Sequence, residues 1–294
     1  MKVFKKVLII VLSVILVAVT GIFALWHNEI ATVASITTII DQDLAHDDGY
    51  TYEMNVSGEY YFDDFLKQGG VSSDEELIQF ITGNITKGVI PMTIKTKEIA
   101  CSSFTAWTKD HQFVFGRNYD FDETNTAIVH TNPKGRHASV STIDLQFLGI
   151  DEKTGITGIK DKALLLAAPY IPLDGINDAG VACGIYMTYQ GEPTSPTNQN
   201  TEKPDITSTT LLRLILDYAD SVEEAIELAS QYDMHDSAGT SYHYMVADKE
   251  GNSAVLEWAG ESDVTDNDGS QREFKVTRNT RSYQVVTNFI LQSD

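Results

Sequence analysis

The chain has two cysteines in 294 residues, and only one has chemically suggestive company. Cys101 opens the hydroxyl-rich run "CSSFTAW"; Arg117 and Asp120 follow one polar turn later in "FVFGRNYDFD". A thiol becomes a nucleophile where a neighbouring positive charge favours the thiolate and a base removes its proton. The runs flanking "TKDHQ" read as an antiparallel hairpin, with Cys101 opposite the stretch from Arg117 to Tyr119. The guanidinium then lies beside the sulfur and cannot lose its charge. Asp120 is placed to accept from an amine or to orient Arg117. Strict alternation sends Arg117 and Asp120 to opposite faces, so both reach one site only if the strand ends or bulges near Asn118. A surface Arg–Asp pair is the plain alternative. Cys183, in the apolar run "GVACGIYM", reads as a small buried residue, although composition alone leaves a Cys101–Cys183 disulfide open.

A base is missing from this set. None of the seven histidines completes a triad or a metal-binding pattern such as HExxH. A base appears if the peptide bond between Ala100 and Cys101 is cut. Cys101 then carries an α-amine of pKa about 7.7–8.0, on the nucleophile's own residue. The chemistry needs no metal and no cofactor.

Elements that would position these residues follow from patterning. After the hairpin, "ASVSTIDLQFLGI", "KALLLAAPYI", "GVACGIYMTY", "YHYMVADKEG", "NSAVLEWAG" and "SYQVVTNFI" read as strands. "STTLLRLILDYA" and "SVEEAIELASQY" read as a helix pair, the second capped by Ser221. Polar stretches 190–208 and 260–273 read as surface loops. Before Cys101, the tyrosine-rich "GYTYEMNVSGEYYFDDFL" suits a hairpin or extended strands, "SSDEELIQFI" a short helix with a Ser73/Glu76 capping box, and "PMTIKTKEIACSSFTAW" an extended run. Strands with a helix pair between them imply an α+β layered domain.

At the N-terminus, Lys2, Lys5 and Lys6 precede the uncharged run from Val7 to Trp26, long enough to cross a bilayer as a helix. It exceeds the apolar core of a cleaved signal, and Val19-Thr20-Gly21 is a weak cleavage site within it. A retained anchor is favoured, with the remainder displayed at the cell surface or outside the cell. The net charge of −21 argues against nucleic acid as a partner, and leaves the membrane as a partner through the N-terminal helix only. The organisation is therefore an anchor or signal at 1–26, a leader at 27–100 that is a candidate propeptide, and a domain at 101–294.

The spacing of Cys101, Arg117 and Asp120, with Gly116–Arg117–Asn118–Tyr119–Asp120 in one run, resembles the N-terminal-nucleophile linear amide hydrolases. That group includes bile-salt hydrolases, penicillin V acylases and, more distantly, acid ceramidase and N-acylethanolamine amidase. "GINDAGVACGIYMTY", "HYMVADKEGNSAVLEW" and "VVTNF" fit the same pattern in order, so the resemblance runs from Cys101 to Asn288. It implies a four-layer αββα sandwich of two antiparallel sheets. It also implies a further arginine and closing strands beyond the final "LQSD", so the domain is expected to be short at its C-terminus. Cys101 would attack a linear amide and form a thioester, with Arg117 and Asp120 holding the thiolate and amine. Asn288 would donate to the oxyanion, and Tyr186 would add a contact to oxyanion or substrate. The implied substrate is a small N-acyl amide; Tyr186 leans toward aromatic or aliphatic acyl groups over steroid conjugates. Two other readings share the fold: an unprocessed, inactive surface-displayed binding module, and an acyltransferase using the same thioester. Homo-oligomerisation is left open.

Overall fold

Residues 182–188 show how sequence alternation builds the layers. Cys183, Ile185 and Met187 belong to the main core, whereas Tyr186 joins a second cluster with Cys101, Met245, Val255 and Val286. Side chains along a strand alternate in direction, so one strand feeds two cores. The computed structural model describes residues 2–43, 49–92, 100–121, 124–151, 153–188, 196–260 and 272–291.

Before the cysteine come α1 (Lys2–Ser35), β1 (Thr37–Ile40), β2 (Thr51–Asn55), α2 (Phe62–Lys67) and α3 (Asp74–Asn84). The hairpin is β3 (Ala100–Trp107) and β4 (Phe113–Asp120). Then follow β5 (Thr126–Thr131), β6 (Ser139–Asp144), α4 (Ile159–Leu164), β7 (Asp174–Asn177) and β8 (Ala182–Thr188). The rest is β9 (Asp205–Thr207), α5 (Ser208–Tyr218), α6 (Val222–Ser230), β10 (Asp233–His235), β11 (Ser241–Ala247), β12 (Ser253–Ala259), β13 (Glu273–Arg278) and β14 (Tyr283–Val286).

Nine strands form one sheet in the order β1-β2-β5-β6-β7-β8-β11-β12-β13, and three form another in the order β14-β3-β4. All pairings in the two are antiparallel except β2 with β5. Helices α5 and α6 cover one face of the large sheet and the small sheet covers the other, with Cys101 between the sheets. Phe104, Val114, Tyr283 and Val285 are exposed on the small sheet. The fold is α+β, with two layered sheets and a helix pair on the outer face of the larger one.

Helix ends follow their sequence signals. Ser73 Oγ accepts from the Glu76 N–H (3.2 Å), while the Glu76 carboxylate reaches back to the Ser72 N–H (2.9 Å). Ser221 and Glu224 repeat the device at α6, where Glu224 accepts from Asp220 N–H. Each such cap stabilises its helix by about 1 kcal/mol.

Two sequence expectations are corrected. "KALLLAAPYI" is helical rather than a strand: α4 runs into a 3₁₀ segment at Leu165–Tyr170. A continuous apolar run buried on all sides carries no periodicity to separate helix from strand. "YFDDFL" forms α2 instead of extending the strand before it, with Phe62 and Phe65 buried on one side. Of the two polar loops, 189–195 and 261–271 lie outside the described residues, as does 93–99 of the run leading to Cys101; the first loop closes with β9, paired in parallel with β10.

Residues 27–43 and 49–92 are part of this body. β2 lies between β1 and β5, and Phe62, Phe65, Leu77 and Phe80 join the main core. The Tyr60 hydroxyl donates to Asp217 (2.6 Å), which also pairs with Arg213 at 2.9 Å and Arg136 at 2.8 Å. Arg136 in turn meets Glu59. A buried carboxylate needs such partners, since desolvation alone would drive it to its neutral form.

Candidate active site

Cys101 is the second residue of β3 and is 1% exposed. β3 and β4 pair without a break: Cys101 faces Tyr119, Ser103 faces Arg117 and Ala100 faces Asp120. Arg117 reaches diagonally, its Nη2 3.5 Å from the Cys101 sulfur and 2.6 Å from the Ile185 carbonyl. Its Nε lies 3.3 Å from Asp174 Oδ2. The guanidinium is stacked between two rings, 4.6 Å from the centre of Tyr119 and 4.4 Å from that of Tyr186. These contacts hold a charged group with only 5% of its side chain exposed and fix its aim at the thiol. Gly184 makes the arrangement possible, because a Cβ there would sit 2.4 Å from Arg117 Nη1 and 2.8 Å from the Tyr186 hydroxyl.

Alternation holds through to the end of β4, with no bulge at Asn118. The Asp120 carboxylate accordingly accepts from Asn118 Nδ2 at 2.6 Å, a partner two residues away on its own side of the strand. On the sulfur Asp120 acts in two opposed ways: its charge disfavours the thiolate, and its backbone N–H, the smaller effect, favours it. Burial nevertheless dominates and pushes the Cys101 thiol up; the Arg117 charge pulls it back only in part. Cys183 is fully buried on the opposite side of β8, and burial pushes its thiol up to about 12. Both cysteines are free.

Asn288 comes 187 residues later and meets Cys101. Its Oδ1 accepts from the Cys101 backbone N–H at 2.8 Å, and its Nδ2 donates to the Met187 carbonyl at 2.6 Å. The segment carrying it is gripped on both sides of that contact. His243 Nε2 donates to the Thr287 carbonyl (2.6 Å), and Glu257 Oε1 accepts from the Leu291 N–H (2.8 Å). His243 and Glu257 are themselves joined, Nδ1 to Oε1, at 2.9 Å. Tyr186 is fully buried, with its hydroxyl donating to Ser103 Oγ at 2.5 Å and its ring edge-on to His243. In this chain, intact at Ala100–Cys101, Tyr186 supports the site from within.

The structure therefore brings a fixed cation to the thiol of Cys101 and a carboxamide to its backbone nitrogen. The profile of the linear amide C–N hydrolases, choloylglycine hydrolase family, matches residues 101–290. The chain belongs to this family. Its matched segment begins at Cys101 and includes every group just described except Ala100 and Leu291.

No curated protein matches the chain. Among solved structures it is similar to a mutant conjugated bile acid hydrolase from Clostridium perfringens, at 18% identity over 62% of this chain and 52% of that one, with TM-score 0.41. It is also similar to penicillin V acylase from Agrobacterium tumefaciens, at 13% identity over 63% and 44%, TM-score 0.30. A third similarity is to the Caenorhabditis elegans N-acylethanolamine-hydrolyzing acid amidase orthologue, at 16% identity over 65% and 70%, TM-score 0.36. The chain spans about half the length of the first of these.

Three groups at the site escape the motif-based reading. Asp174 orients Arg117 and closes a chain of hydroxyls, accepting from Thr142 Oγ1 at 2.6 Å, which is 2.6 Å from the Tyr119 hydroxyl. His243 and Glu257 are the others. Their signal was present: each interrupts an apolar strand at a position that alternation turns toward Cys101, and a buried polar residue needs a reason. Among the described residues, no group of three or more His, Cys, Asp or Glu could hold a metal ion.

Proposed function

We propose that the chain is an amidase, hydrolysing the carbon–nitrogen bond of small N-acyl amides with Cys101 as nucleophile. The observation that carries this reading is the meeting of Arg117 and Asn288 at Cys101, thiol on one side and backbone nitrogen on the other.

In the proposed sequence, the Cys101 thiol first attacks the Ala100 carbonyl. The acyl group passes from nitrogen to sulfur, and water hydrolyses the resulting thioester, leaving residue 101 with a free amine. That amine stays on Asn288 Oδ1 and takes the proton of Sγ. The thiolate, held by Arg117 and by the Asp120 N–H, attacks the substrate carbonyl. Asn288 Nδ2 turns from the Met187 carbonyl to the developing oxyanion. The Cys101 amine then delivers its proton to the leaving amine, and water releases the acid from the thioester. Asp120 would hold the new amine, and Tyr186 would serve through the stacking of Arg117. The same thioester would transfer its acyl group wherever an amine replaced water. With the N-terminal helix as an anchor, the reaction would take place at the cell surface.

The test combines mass determination of the purified full chain with turnover of a panel of N-acyl amino acids, N-acyl homoserine lactones and phenoxyacyl amides. A fragment beginning at Cys101, and hydrolysis lost in Cys101→Ala, are expected. Asn288→Ala should lower kcat by about 10²–10³ with a small effect on KM. The burial of Cys101 and its raised thiol in the intact chain favour the rival binding module if processing never occurs. An uncut chain that binds the panel without turnover would establish that rival.

A further inference from the structure

α1 joins the domain without a linker. Ser35 Oγ donates to the Asn55 carbonyl (3.1 Å) and accepts from the Asn55 N–H (2.9 Å), and Thr32 Oγ1 accepts from the Ser57 N–H (2.8 Å). Glu29 pairs with Lys87 at 3.4 Å. A kink at Trp26, whose backbone is non-helical, separates this docked half from an apolar half. The apolar half is uncovered by the domain and is long and apolar enough to cross a membrane. At 1.5 Å per residue, Val7 to Trp26 spans about 30 Å, the thickness of a bilayer's hydrocarbon. With Trp26 at the interface, where tryptophan is favoured, Ile22 lies about 6 Å deeper.

A groove of about 500 Å³ opens along this junction. Ile22, Trp26 and Ile30 of α1 form one wall; Val89 and Ile90 after α3, and Leu166 after α4, form the other. Val89 and Ile159, at its border, are 65% and 73% exposed. The two charged lining groups belong to the end away from Ile22. Glu29 lies two turns further along the helix, and Lys162 Nζ donates to the Ile36 carbonyl at 2.9 Å. A mouth at hydrocarbon depth, apolar walls and a cation at the far end match one kind of occupant. The volume is that of a small-molecule site.

We propose that this groove binds one acyl chain of a membrane phospholipid, entering at Ile22 with its headgroup beside Lys162, and thereby seats the domain on the bilayer. The proposal rests on the reading of α1 as a retained anchor. Because the docked half of α1 is pinned by side-chain bonds, the groove keeps a fixed depth, and Val89 and Ile159 turn to the interface with it.

The experiment uses the full chain in phosphatidylcholine–phosphatidylglycerol vesicles carrying a diazirine on one acyl chain, with adducts mapped by mass spectrometry. Adducts are expected on residues 85–90 and 159–166 as well as on the span. Ala34→Phe, at an exposed position on the groove wall, should abolish the former and spare the latter. Adducts confined to the span, or insensitive to Ala34→Phe, would overturn the groove while leaving the anchor intact. Absence of adducts on the span itself would remove the anchor and the proposal together. Loss of the groove adducts as the protein-to-lipid ratio rises, with the span adducts kept, would show that a second copy occupies the groove instead.

Discussion

His243 and Glu257 face each other across β11 and β12, and between them they hold the two flanks of Asn288. The Thr287 carbonyl can only accept, so Nε2 of His243 carries the hydrogen there, and Nδ1 is left to Glu257. Neither group touches the sulfur. Their effect on the chemistry runs through the placement of one carboxamide.

His243→Phe would put a somewhat larger apolar ring in place of the imidazole and remove one of the partners of a carboxyl that is 1% exposed, destabilising the fold by about 1–3 kcal/mol. Adding Glu257→Leu should recover most of that stability. It should not recover kcat, since Thr287 and Leu291 remain untethered. Melting temperature and amide turnover, measured on both variants, separate the two effects; full activity in the double variant would refute a positioning role.

Self-processing should require the thiol. Cys101→Ala is expected to stay full length while the parent chain splits between Ala100 and Cys101. Equal splitting in both proteins, seen by gel and mass, would assign the cut to an outside protease.

The two thiols should differ in alkylation. Cys183, pushed up to about 12, should react slowly at every accessible pH. Cys101 should react faster, but with a midpoint above the usual thiol value of about 8.5, because burial outweighs Arg117. Arg117→Gln should raise that midpoint further. Iodoacetamide labelling against pH reads both, and a faster Cys183 would defeat the assignment of Cys101.

Burial pushes the Asp236 carboxyl up to about 7, against the hydrogen bonds it accepts from Thr197 N–H (2.7 Å) and Ser208 Oγ (3.2 Å). An unfolded aspartate releases its proton near about 3.9. Between these values the folded state binds the extra proton, so this residue makes stability fall as pH rises, by up to about 1.4 kcal/mol per unit. Asp236→Asn should flatten the dependence between about 4 and 7. Melting temperatures of both proteins across that interval give the difference directly; parallel curves would contradict the shift.

The hairpin was legible because its signals are local. A polar turn separates two alternating runs, and the pairing of Cys101 with Tyr119 falls within the expected stretch. Parity was legible too, and it kept Asp120 with Asn118 rather than with Arg117. Asp174 was not, since its meaning depends on Arg117, 57 residues earlier, and on the close approach that Gly184 permits. The helical turn at Leu165–Tyr170 was missed because a segment apolar on every side has no face to betray its period. β7 was passed over because four residues between turns carry few alternations to count.

The strand contributed by residues 51–55 lies parallel to β5, second in the order of the large sheet, which the rest of the chain completes. If the chain is cut before Cys101, that strand becomes part of a separate polypeptide without changing its neighbours. Assembly of the uncut chain is a first-order event, independent of how much protein is present. Recovery of the cut pair from denaturant would be second-order, with a yield that falls on dilution. A single hydrolysis would thus turn a protein that can refold alone into one that must find its other half.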